Sequence, residues 1–203
     1  MCNYEPHLST HAGSNGTAGG GISYVRWGNS SCPSVPETSY VYGGIVASSH
    51  HRDSNGGGAN HLCMPSEPDY ITSTPRTSNV VKALLYGTAY QDPLVTASSD
   101  RTVPCAVCLA GTRTTVLMIP AKISCPTGWT LEYFGYIMTE RTSDLHRRSI
   151  YECVDVGLEA IPGTNGAGEA GLLGHTVASC GRLDCSDSEY IENVEITCAV
   201  CTI

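Results

Sequence analysis

The run Val103-Pro-Cys105-Ala-Val-Cys108 returns as Ile196-Thr-Cys198-Ala-Val-Cys201, and Ser31-Cys32-Pro33 returns as Ser124-Cys125-Pro126, both at an offset of 93 residues. His61-Leu-Cys63 and Tyr151-Glu-Cys153 match at an offset of 90, and Tyr42-Gly43-Gly44-Ile45-Val46 matches Phe134-Gly135-Tyr136-Ile137-Met138 at 92. Cysteines that recur with small drifts in spacing mark a repeated structural unit, because loops tolerate length changes and covalent staples do not. The chain is therefore expected to be a tandem duplication of one disulfide-stapled β subdomain. A leader covers residues 1–21, the first repeat 22–109 and the second 110–203. The seam at residues 110–113 is so short that the two halves must pack against each other.

Composition sets the fold class. Charged residues make up only 15% of the 203 residues, while Gly, Ser, Thr and Tyr are plentiful, which suits a turn-rich β protein better than helices built from Glu, Lys, Leu and Ala. Short apolar segments at 22–27, 39–46, 81–90, 103–109, 115–119, 130–138, 150–155, 171–177 and 194–200 are rich in Val, Ile, Thr and Tyr and bounded by turn formers. An all-β protein is expected, with tight reversals at Asn55-Gly56-Gly57-Gly58 and Asn165-Gly166. The leader is rich in Gly, Ser, Thr and His without apolar periodicity and reads as flexible.

Eleven cysteines at repeated spacings point to an oxidising, extracellular compartment, since cytosolic thiols are kept reduced. Met1-Cys2-Asn3-Tyr4 lacks the basic-then-apolar pattern of a secretory signal, so a signal is expected to have been removed or replaced by an added start. The sequons at Asn15 and Asn29 agree with secretion. No apolar run is long enough to span a bilayer, and a net charge of -8 without a basic stripe argues against nucleic acid and anionic membranes as partners. No G-x-S-x-G elbow, H-E-x-x-H pair or phosphate-binding glycine loop is present, so no enzyme is expected.

Each half carries four matching cysteines, the second adds Cys180 and Cys185, and Cys2 is left over. Four cysteines allow three pairings, and a repeated C-x-x-C is also compatible with zinc, although oxidised bridges are the expected state of a secreted β domain. Cys105-Ala-Val-Cys108, then Cys125-Pro-Thr-Gly-Trp129 and Tyr133-Phe-Gly-Tyr-Ile-Met138, resemble the junction between the halves of the C-terminal noncollagenous domain of type IV collagen. Gly21-Ile-Ser-Tyr-Val-Arg-Trp-Gly28, Gly56-Gly-Gly-Ala-Asn60 through Cys63, and Met118-Ile-Pro-Ala-Lys122 are similar to the related domain of short-chain, spongin-type collagens and their collagen-free homologues in marine invertebrates. The resemblance implies a duplicated β fold with nested bridges: Cys32 with Cys108, Cys63 with Cys105, Cys125 with Cys201, Cys153 with Cys198, and a local loop between Cys180 and Cys185. It also implies association of chains. The first half lacks a local bridge, and the chain has no Gly-x-y tract to align.

Three further features are candidates for binding. The polar loop that holds His50, His51, Asp53, Asn60 and His61 concentrates imidazoles and amides beside glycines, a composition that binds a transition metal or hydrogen-bonds a sugar. Glu67-Pro68-Asp69 is reminiscent of the sugar-selecting tripeptides of calcium-dependent lectins, with Asp92 and Asp100 as the other acidic donors in that half. Asp184, Asp187, Glu189, Glu192 and Glu195 line the last cysteine loop and read as an acidic exposed turn. Cys2 is expected to join a second subunit. The favoured function is a secreted, non-enzymatic module that self-associates in extracellular matrix or another extracellular assembly. The alternative is a calcium-dependent lectin that binds glycans.

Overall fold

The computed structural model describes residues 20–52, 57–71, 83–91, 100–142, 146–164, 170–183, 185–186 and 189–203. Ten strands follow one another: β1 (Ile22–Trp27), β2 (Thr38–Ser48), β3 (Leu62–Pro65), β4 (Tyr86–Tyr90), β5 (Pro104–Ala110), β6 (Val116–Pro120), β7 (Thr130–Thr139), β8 (Glu152–Asp155), β9 (Gly171–His175) and β10 (Thr197–Thr202). No helix occurs among the described residues, so the protein is all-β, as composition predicts. The short β3 was not anticipated: its four residues end in proline and show no run of alternation. The segment expected from residue 81 pairs only from Tyr86 onward.

The pairing closes a ring of seven strands in the order β7-β8-β1-β5-β2-β4-β9, with β9 returning to β7. Strand β3 hangs on β2, and β10 carries β6 out from β7. Every pairing within a half is antiparallel. Both joints between the halves, β1 with β8 and β4 with β9, are parallel. The ring thus takes strands from both halves, and each of two buried clusters draws on both.

The cysteine spacing makes sense on a strand. Side chains alternate faces, so Cys105 and Cys108, three apart on β5, point to opposite sides of the sheet. Cys108 packs in one core cluster with Tyr24 and Tyr133, and Cys105 in the other with Trp27 and Val154. The bonds are Cys32–Cys108, Cys63–Cys105, Cys125–Cys201, Cys153–Cys198 and Cys180–Cys185, the pairs the family resemblance implies. Each of the four long loops closed in this way stabilises the fold by about 2–4 kcal/mol, mainly by restricting the unfolded chain.

The register relates the halves residue by residue. Strand β5 lies between β1 and β2, and β10 lies between β6 and β7. Gly44 stands opposite Cys105 and Gly135 opposite Cys198, so these two glycines are counterparts, at an offset of 91 rather than the 92 of the sequence match. The sequence match was one residue out because it aligned Gly43 with Gly135. A side chain on Gly44 or Gly135 would strike the backbone carbonyl of Met64 or Val154 respectively, where β3 or β8 crosses closely. The turn after β1 and the turn after β6 both need a left-handed residue, Gly28 at φ 82° and Ala121 at φ 58°.

Each half also has a bulge, at Val41 in β2 and Glu132 in β7. The Glu132 carboxylate is buried at the seam, where Oε2 accepts from the Tyr24 hydroxyl (2.7 Å) and Thr38 Oγ1 (2.9 Å), and Oε1 from Thr202 Oγ1 (2.7 Å). Arg113 supplies the countercharge at 3.4 Å and donates to the Pro36 carbonyl. Three strands, β1, β2 and β10, are thereby pinned to β7 by one acid. Glu132→Ala strands Arg113 and three hydroxyls without their acceptor, and is expected to lower unfolding stability in denaturant titrations by about 3–5 kcal/mol.

Burial raises the phenol pKa of Tyr24, Tyr90 and Tyr133, and for Tyr24 the hydrogen bond to Glu132 adds to it. Because the folded state holds these protons more tightly than the unfolded chain, their contribution is complete below the ordinary tyrosine pKa and is lost above about pH 10. Ultraviolet titration is expected to show these three of the eleven tyrosines ionising only as the protein unfolds in alkali.

Candidate functional site

The joint between β1 and β8 is densely built. Trp27 pairs with Val154. The Tyr133 hydroxyl lies 3.0 Å from the Val25 carbonyl and 2.9 Å from that of Cys153, bridging the two strands, and its ring stacks on Tyr24 at 6.2 Å. Beyond β8, residues 158–161 lie along the end of β1. Glu159 N donates to the Gly28 carbonyl (2.7 Å) and Ile161 N to the Thr102 carbonyl (3.0 Å). Leu158 and Ala160 pack against the core, and the Glu159 carboxylate accepts from Ser30.

The counterparts of those strands are open. By register, β6 corresponds to β1 and β3 to β8, since Cys63 and Cys153 bond to the matching residues Cys105 and Cys198. Among the described residues, strands β3 and β6 are the two of the ten that pair on one side only. Leu117 on β6 is 43% exposed where its counterpart Tyr24 is 6% exposed, and Tyr42 on β2 is 39% exposed where Tyr133 is 5% exposed. Beside the end of β6 lies a cleft of about 400 Å³, lined among others by Pro120, Ala121, Lys122, Tyr190, Ile191 and Ile196. Glu189 and Glu195 of the acidic loop line this cleft; Glu189 and Glu192 are exposed, and Asp184 and Asp187 lie outside the described residues.

The histidines do not form one group. The His50 and His51 rings lie 4.2 Å apart, with Tyr86 against His50 and His146 against His51. His51 Nδ1 is 2.9 Å from the Ala170 carbonyl, and His146 pairs with buried Glu140 at 2.7 Å. His61 lies apart from them: it is buried just before β3, with its ring edge-on to Trp27 and its Nδ1 3.5 Å from Glu152. Its side chain is 1% exposed, so it is not a surface ligand. Asn60 is exposed, and Asp53 lies outside the described residues.

Glu67 and Asp69 stand on an exposed turn after β3. Asp100 serves a backbone purpose, with φ 60° and its N–H donating to the Tyr90 carbonyl at 2.8 Å. Asn193 has the same conformation and donates likewise to Ala178 in the second half. Asp92 lies outside the described residues, as does Cys2. No three His, Cys, Asp or Glu side chains converge as a metal site among the described residues.

Sequence reading missed the cleft. Its signal was present in Met118-Ile-Pro-Ala-Lys122, but the motif became a wall only when β10 and the 189–197 segment were folded against it. No protein-family model matches the chain.

Proposed function

We propose that this chain is a secreted, non-enzymatic module whose work is self-association in an extracellular assembly, as its resemblance to the noncollagenous domain of collagens suggests. One observation carries this reading. Among the described residues, the two strands left with a single partner, β3 and β6, are the counterparts of β8 and β1, which form one of the two joints between the halves. A sheet edge is a template for another chain, and edges meant to stay in water are guarded by charge, proline, bulges or shortness; β3 and β6 both end in proline. Neither β3 (LCMP) nor β6 (VLMIP) contains a charged residue.

The five bridges support an oxidising compartment. They use ten of the eleven cysteines, which leaves Cys2 for a bond between subunits. The calcium-dependent lectin reading would draw on Glu67 and Asp69, but no convergence of donors among the described residues favours it.

Native-mass measurement tests the reading. The wild-type chain is expected to run as an oligomer at tens of micromolar, and, in a Cys2→Ser background, Leu117→Lys/Met118→Lys, two changes at half-exposed side chains, to yield monomers with an unchanged melting temperature. A wild-type protein that stays monomeric throughout refutes it. Cys2→Ser is expected to abolish covalent dimers on non-reducing gels while leaving the noncovalent mass unchanged.

A further inference from the structure

We propose that His51 and His146 bind a divalent transition-metal ion through their Nε2 atoms, forming a site that ties the first half of the chain to the second near the β4–β9 joint. The site is independent of self-association and lies away from the cleft beside β6.

The two imidazoles meet because the segments that carry them are bonded to each other and to the start of β9. His51 follows β2; its N–H donates to the Ala170 carbonyl (3.1 Å), and its own carbonyl accepts from Arg147 N (2.9 Å). The His51 and His146 rings stand 4.9 Å apart, inclined by 55°. Two imidazoles on one tetrahedral zinc, with Zn–N bonds of about 2.0–2.1 Å, have ring centres about 5 Å apart. The spacing is that of a shared ion.

Hydrogen bonds at the opposite nitrogens set which atoms are left to ligate. A carbonyl only accepts, so His51 Nδ1, 2.9 Å from the Ala170 oxygen, carries the proton. His146 Nδ1 lies 2.7 Å from Glu140 Oε1 and donates to it, while Glu140 Oε2 accepts from Leu172 N at 3.1 Å. Arg141 stands on the far side of the His146 ring, its guanidinium 3.5 Å from Nε2; a guanidinium only donates, so Nε2 is a lone pair. An imidazole whose Nδ1–H is held by a carboxylate or a main-chain carbonyl is the usual support of a metal ligand, because the outer acceptor orients the ring and strengthens the donor. Both histidines have that support.

Charge gives a second reason. The Glu140 side chain is 3% exposed, and a cation beyond the His146 ring offsets this buried carboxylate. Arg141 fills that place in the structure, but it is exposed and free to swing aside for an ion. His50 flanks the pair without joining it: its ring is 4.2 Å from His51, and its Nδ1 accepts from Arg52 N at 3.2 Å. No third ligating side chain converges with the two among the described residues, which leaves the remaining positions to water. A donor set of two imidazoles and water suits zinc, nickel or copper rather than calcium or magnesium.

Calorimetric titration of the full, oxidised chain with zinc chloride tests the site, with calcium chloride as the control. His51→Asn and His146→Asn keep an amide donor where Nδ1 stood and remove Nε2. Each is expected to weaken zinc binding at least about 10-fold and to abolish the rise in melting temperature that zinc gives the wild type. Arg141→Ala, a change at an exposed side chain, removes the competing cation and is expected to tighten zinc binding about 3-fold; it decides the matter even if a histidine variant fails to fold. The site is refuted if wild type takes up no zinc, if either folded histidine variant binds zinc as tightly as wild type, or if Arg141→Ala binds it no more tightly. None of these results bears on the oligomeric state.

Discussion

The fold depends on a strand that is covalently tied on both of its faces. Strand β5 is buried almost throughout, and its two cysteines, three residues apart, send one bond to each side of the sheet. Strand β10 does the same in the second half. Between such bonds lie Ala106 and Ala199, with no exposed surface. With the two central strands fixed, each neighbour finds its register from them, and the ring closes through parallel joints that neither half makes alone.

Those joints explain why a chain of modest apolar content holds a single core. Each buried cluster needs side chains from both halves: Tyr24 with Tyr133 and Ile137 in one, Trp27 with Val154 and Leu173 in the other. Glu132 completes the seam by gathering Tyr24, Thr38, Thr202 and Arg113 about one carboxylate. A buried acid of this kind is tolerated because all its lone pairs are engaged and a cation stands beside it.

Much of this architecture was legible in the sequence, because the cysteines carry their spacing with them and strand composition is local. The β class and nine of the ten strands followed from runs such as Ile22-Ser-Tyr-Val-Arg-Trp27. The strand β3 was hidden because four residues are too few to show a period. The alignment of Gly43 with Gly135 failed for a related reason: a shorter turn between Cys125 and β7 than between Cys32 and β2 changed the offset, and only pairing partners reveal which glycine faces a crossing carbonyl. The candidate histidine site was misjudged by proximity in sequence. His61 is close to His51 along the chain, but it lies buried against Trp27. The cleft required residues 120–122 to meet residues 189–197, a long-range event that no local pattern announces.

The open counterpart of the β1–β8 joint differs from it in chemistry. A contact within one chain is held at high effective concentration by the seam, so it can accommodate a desolvated acid and tyrosine whose value lies in fixing register. A contact between chains must offset lost translational and rotational freedom, and non-directional apolar burial does so without requiring each polar atom to find its partner. The substitution pattern follows that division: Tyr24 and Glu132 where the joint is internal, Leu117 and Val41 where it is open. Strand β6 reads Val-Leu-Met-Ile-Pro, so proline rather than charge is the guard its open edge carries.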